Sequence, residues 1–112
     1  MKITEIEVHE VMLEYQDFLA YQFNHYYGPT KRTVYIVHTD TGLEGLGESG
    51  GAEPLEVIEQ YIGTNPFDWI GDTTTLPINM AMYDLMGKYL GLPAWKLIGP
   101  KLRDRVPVAA WT

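Results

Sequence analysis

The chain has 112 residues, 46% hydrophobic and 21% charged, with a formal net charge of −7 and no cysteine. That length suits one domain or a piece of a larger protein, and the composition excludes wholesale disorder. The acidity argues against nucleic acid as a partner; without cysteine there is no disulfide framework, thiolate zinc site or cysteine nucleophile; and no apolar run approaches the ~18 residues of a membrane span.

The amino terminus, Met1-Lys2-Ile3-Thr4-Glu5, has no apolar signal core, so a cytoplasmic protein is expected. From Thr4 to Met12, Ile6, Val8 and Met12 alternate with Glu5, Glu7 and His9. Period two predicts a half-buried strand, with Glu10 as the place where it ends or bulges. Tyr15 to Thr30 has no clear period: Tyr15, Phe18, Tyr21, Phe23, Tyr26 and Tyr27 are interleaved with Gln16, Gln22, Asn24 and His25, and Gly28-Pro29 follows as a turn signal. A long aromatic loop is expected there, and loops of that length tend to be functional lids or disordered; this many aromatics argue against disorder. Thr33 to Thr39 is β-branched and aromatic, Asp40-Thr41-Gly42 makes a tight turn, and Leu43 to Glu48 returns. The three strands form an antiparallel meander.

After Glu48 the period changes. Ser49-Gly50-Gly51 is a flexible joint. Pro54 suits the first position of a helix carrying Leu55, Ile58 and Ile62 and ended by Gly63. Asn65 to Trp69 is a helical turn, and Thr75 is a candidate cap for the strongest helix, where Ile78, Met82, Leu85, Met86 and Tyr89 share a face. Met80, Met82 and Met86 are expected in the core, and Asp84 and Lys88 form an i,i+4 pair. Gly91 and Pro93 stop this helix, and a short one spans Ala94 to Ile98. Lys101 to Arg105 is a charged linker, after which Val106 to Trp111 reads as the start of a strand whose partner is not in the sequence. The fold class is α+β, a three-stranded antiparallel meander followed by a small helical bundle.

Few motifs carry chemistry. Ser49 lacks a G-x-S-x-G elbow, Gly45-Leu46-Gly47 lacks the third glycine of a dinucleotide loop, and His9, His25 and His38 are too scattered to suggest a metal site.

Two blocks carry a family likeness. Thr39-Asp40-Thr41-Gly42-Leu43-Glu44-Gly45-Leu46-Gly47-Glu48 resembles the "TD.G..G.GE" hairpin of the mandelate racemase/muconate lactonizing branch of the enolase superfamily. Ala81 to Gly99, with Tyr83-Asp84-Leu85, Gly87-Lys88, Gly91-Leu92-Pro93 and Leu97-Ile98-Gly99, resembles that branch's "A.wDl.gK..G.P...LlG" helix pair. The order of meander, helices and linker agrees too. One departure is the short interval from Gly63 to Pro77, where the family has a longer helical stretch.

The resemblance implies an enolase N-terminal-like capping domain over residues 1–100, then a linker and the first strand of a truncated (β/α) barrel over 101–112. A whole barrel takes roughly 250 residues, so the Mg²⁺ ligands and the catalytic base are expected outside this chain. It further implies a Mg²⁺-dependent, homo-oligomeric parent enzyme of lyase or isomerase type, acting on a small carboxylate. The reaction would begin with abstraction of the proton α to the carboxylate. The polar groups of the aromatic loop favour a hydroxylated substrate, hence a sugar-acid dehydratase over a racemase. By the same resemblance Tyr21, Asn24, His25, Tyr26 and Tyr27 belong to a first substrate-covering lid, and Glu48 and Ser49 to a second. The plainer alternative is that the aromatics pack on the domain itself or on a subunit interface, and that Glu48 is a buried, hydrogen-bonded strand end. The chain alone is expected to turn over no acid. A free-standing binding module without catalysis is the rival reading.

Overall fold

The computed structural model describes residues 1–28 and 30–109. Strand β1 (Ile3–Leu13) leads through helix α1 (Asp17–Tyr26) into β2 (Thr30–Thr39) and β3 (Glu44–Ser49). Helix α2 (Leu55–Glu59), a 3₁₀ turn (Pro66–Trp69), α3 (Leu76–Leu90) and α4 (Trp95–Ile98) follow. The sheet is antiparallel in the order β1-β2-β3. The meander and the α+β class are as the sequence indicates.

The inner face of β2 supplies the sheet's share of the core. Tyr35 and Val37 are fully buried there and, with Ile3, meet Ile78, Ala81, Met82, Leu85 and Met86 of α3. Ile58 and Tyr61 close one side. Helix α3 lies directly on β3 because that strand has no side chain in the way. A Cβ built on Gly45 would fall 2.3 Å from the Ala81 carbonyl oxygen, and one on Gly47 would fall 1.8 Å from that of Pro77. Polar groups stitch the same contact. Asp84 Oδ2 accepts from Leu46 N–H at 2.9 Å and from Lys88 Nζ at 2.8 Å, and Lys88 Nζ also donates to the Glu44 carbonyl at 2.6 Å. Gly91, at φ +65°, ends α3, with Leu92 N–H returning to the Gly87 carbonyl at 2.8 Å.

Several expectations are corrected. Glu10 does not interrupt β1; it pairs opposite Thr33, and the register shift lies between Ile3 and Glu5. Pro54 precedes α2, which stops at Glu59 before Ile62 is reached. Thr75 flanks α3 but its side chain makes no capping bond. Met80 and Tyr89 stand half-exposed, because α3 buries only the face toward the sheet; Tyr89 meets Phe67 edge-on.

The largest difference is α1, where a loop was expected. Leu19, Phe23 and Tyr27 recur at helical spacing, Tyr15 packs against Phe23 at 4.8 Å, and Phe23 packs against Tyr27 at 5.7 Å. Asp17 in the first turn and His25 in the last suit the helix dipole. These contacts are all local, so no long apolar stripe announces the helix. At the other end, residues 106–109 form no strand, and Val106 and Val108 are exposed. The remainder of that expected strand, Ala110 and Trp111, lies outside the described residues, as does Pro29 of the expected turn.

Candidate functional site

Strand pairing brings two connections to one end of the sheet. β1 ends at Leu13 opposite Thr30, and β3 ends at Ser49 opposite Thr33. Residues 14–28 and 50–54 therefore leave the same end of the sheet, although more than 20 positions separate them in sequence. All seven residues singled out from the sequence lie on or beside these connections.

The first connection is a projecting helix. None of the α1 residues is buried, and Tyr21 is 81% exposed. The Tyr21 ring lies parallel to the His25 imidazole at 6.1 Å, and Tyr26 meets His25 edge-on at 5.1 Å. These three make one aromatic surface carrying phenol hydroxyls and an imidazole. Tyr27 packs toward Phe23 on another flank, and Asn24 is exposed. The helix is tethered at its root by a hydrogen bond between the Tyr15 hydroxyl and Thr30 Oγ1.

The second connection is pinned, where a flexible joint was expected. Ser49 Oγ donates to the Gly51 carbonyl at 2.6 Å. The hydroxyl of buried Tyr35 donates to the same carbonyl at 3.2 Å and accepts from Glu53 N–H at 2.7 Å. Glu48 is ion-paired to Arg32 Nε, whose hydrogen bond holds the Glu48 carboxyl below the usual glutamate range. Glu48 is thus hydrogen-bonded but partly exposed. Arg32, Tyr35 and Tyr15 escaped the sequence reading. Arg32 could have been found from the register, since it sits diagonally across from Glu48 once the hairpin turn is placed.

On the outer face of the sheet, His38 lies between two carboxylates, with Nε2 2.8 Å from Glu7 Oε1 and Nδ1 3.2 Å from Glu44 Oε1. Glu7 Oε2 also meets His9 Nε2 at 2.7 Å. The hydrogen bonds from His9 and His38 hold the Glu7 carboxyl below the ordinary range. This network joins all three strands and faces away from α3.

The arrangement can cover, stack on and hydrogen-bond a polar ligand. It offers no activated nucleophile, and among the described residues no group of three or more histidines and carboxylates is set to hold a metal ion. The described residues therefore present no ligand set for the Mg²⁺ that the family likeness implies. An open apolar groove of about 590 Å³ lies elsewhere, between the 71–76 segment, α3 and α4. Among the described residues no helix is long and apolar enough to cross a membrane.

No family model matches the sequence. A D-galactonate dehydratase of Variovorax paradoxus is 29% identical over 78% of this chain and 30% of its own length. A D-xylonate dehydratase of Haloferax volcanii is 32% identical over 64% of this chain and 23% of its own. The chain thus spans less than a third of the length of the curated relatives it matches. An isomerase from Streptomyces coelicolor superposes with a TM-score of 0.70 at 29% identity, over 96% of this chain and 33% of that one. A dipeptide epimerase from Enterococcus faecalis, solved with Mg and L-Leu-L-Tyr, gives 0.67 at 26% over 88% and 35%. A muconate cycloisomerase variant shares the fold at 0.68 and 22% over 93% and 34%. In sequence the chain is similar to these sugar-acid dehydratases, and its fold is the α+β architecture of the N-terminal capping domain of enolase-superfamily structures.

Proposed function

We propose that residues 1–100 are the substrate-covering domain of a cytoplasmic sugar-acid dehydratase, and that residues 101–112 lead into its catalytic barrel. The observation that carries this reading is the convergence of α1 and the 50–54 segment at one end of the sheet, with the bare surface of Tyr21, His25 and Tyr26 on the former. The two dehydratase relatives support a polyhydroxy acid as the substrate class. In such a reaction the proton α to the carboxylate is removed and the β-hydroxyl leaves as water, giving a 2-oxo-3-deoxy acid. The base and the Mg²⁺ ligands would come from polypeptide outside this chain. The part of the described residues is to exclude water and to meet the substrate's hydroxyl groups. Tyr21, Asn24, His25, Tyr26 and Tyr27 would supply the first covering segment; Glu48 and Ser49 would set the position of the second.

The test is a panel of acid sugars with the enzyme that carries this domain, in D₂O with Mg²⁺. Deuterium incorporation at C3 of a 2-oxo-3-deoxy product is expected, and the 112-residue chain alone should turn over nothing. In the whole enzyme, Tyr21→Ala should raise KM for the preferred sugar acid about tenfold or more, as loss of a stacking contact and its ordered lid would. Turnover by the isolated chain, or a Tyr21→Ala enzyme with unchanged preference across the panel, would sink the reading.

A further inference from the structure

Tyr35 is fully buried on the inner face of β2, yet its hydroxyl bonds nothing in the core. It donates to the Gly51 carbonyl at 3.2 Å and accepts from Glu53 N–H at 2.7 Å. Both are backbone groups of the second connection, which opens with two adjacent glycines and has no regular structure before α2. Among the described residues, the only other hydrogen bond to the backbone of 51–53 runs from Ser49 Oγ to the same Gly51 carbonyl, at 2.6 Å. Gly51 and Ala52 are exposed, so packing does not hold this stretch either. Its place is set chiefly by one phenol oxygen, carried on a ring that a close-packed core keeps from shifting.

The core itself does not call for that oxygen. Phenylalanine would fill the same space beside α3 and remove no contact of the ring. Thr33 supplies the contrast. It lies two positions earlier on the same buried face, opposite Ser49, and its hydroxyl has no partner among the described residues. This face of β2 thus carries two buried hydroxyls, and only that of Tyr35 bonds to the connection. We propose that Tyr35 is a positioning residue for substrate binding. From inside the core its hydroxyl fixes where residues 51–53 lie, and so how tightly the covered acid is held. This role rests on the reading of the domain as a substrate cover. A segment held in place before the ligand arrives has less freedom to lose on binding. Releasing it weakens binding without touching the groups that move the proton.

The test compares two variants that each delete one buried hydroxyl from that face, Tyr35→Phe and Thr33→Val. In the 112-residue chain, the Glu53 amide of Tyr35→Phe should exchange with solvent about three- to tenfold faster than in the native chain, with α3 amides unchanged. Thr33→Val should leave the Glu53 amide at its native rate. In the enzyme that carries this domain, Tyr35→Phe should raise KM for the preferred sugar acid about three- to tenfold and hold kcat within about twofold, whereas Thr33→Val should change neither. A Glu53 amide that exchanges no faster in Tyr35→Phe would overturn the proposal whatever the substrate. So would faster exchange with an unchanged KM, a fall in kcat in place of the rise in KM, or Thr33→Val matching Tyr35→Phe in both readouts. Because the ring is kept, the cooperative melt of Tyr35→Phe should survive; its loss would show that the core needs the hydroxyl and would also overturn the proposal. A native enzyme that turns over no acid sugar would count against the dehydratase reading alone, since the exchange measurement uses no substrate.

Discussion

Helix α3 and helix α1 are built on opposite terms. Helix α3 buries seven of its fifteen residues, rests its backbone on the bare strand positions Gly45 and Gly47, and is tied to β3 through Asp84 and Lys88. Helix α1 buries none of its ten and is held by local ring contacts and one hydroxyl tether. The contrast separates two tasks: one helix supplies cohesion, while the other presents surface. Proteins draw their binding segments from the weakly held end of this range because those segments have to move or adapt.

The contrast can be broken most forcefully at Gly47. Gly47→Ala should abolish the cooperative thermal transition or cost about 3 kcal/mol or more, because the added methyl meets the Pro77 backbone oxygen and a helix backbone cannot step aside. A near-native melt would show that α3 is free to slide on the sheet. Next comes Leu85→Ala, expected to cost about 2–5 kcal/mol at a fully buried position, measured by urea unfolding. Asp84→Ala should cost about 1 kcal/mol, since it removes the acceptor for Leu46 N–H at a solvent-accessible contact.

Glu48 sharpens the comparison at the root of the second connection. Its folded carboxyl titrates below the unfolded one because of Arg32. The stabilisation is therefore whole above the ordinary glutamate range, near pH 4.3, and fades as pH falls through the lower folded value. Urea midpoints of the native chain and Glu48→Gln should differ at pH 7 and converge on acidification; a gap that widens in acid would reverse the assignment. Smallest of all, Tyr21→Ala should move stability by no more than about 0.5 kcal/mol, and amides of α1 should exchange with solvent far faster than those of α3.

Alternation and helical spacing are local properties, so the meander, α3 and its Gly91 stop were legible from the residues alone. The i,i+4 spacing of Leu19, Phe23 and Tyr27 spans too few turns to stand out among so many aromatics, so the sequence alone points to a loop where α1 forms. Gly45 and Gly47 were visible as part of a hairpin strand, but their purpose appears only when Pro77 and Ala81 arrive from thirty positions away. The seven candidate residues could be chosen by likeness to the family's two lid segments. That two of them sit on a pinned segment follows from Tyr35, which by sequence is an ordinary inward-facing strand residue.

Tyr35 serves two masters with one side chain. Its ring belongs to the core, and its hydroxyl is the peg on which Gly51 and Glu53 hang. Substitutions can therefore accumulate along α1 residue by residue at almost no risk to folding. The second connection has no such latitude, because its anchor cannot be exchanged for a differently shaped residue without disturbing the interior. Adaptation in this domain runs through the helix that the fold least needs.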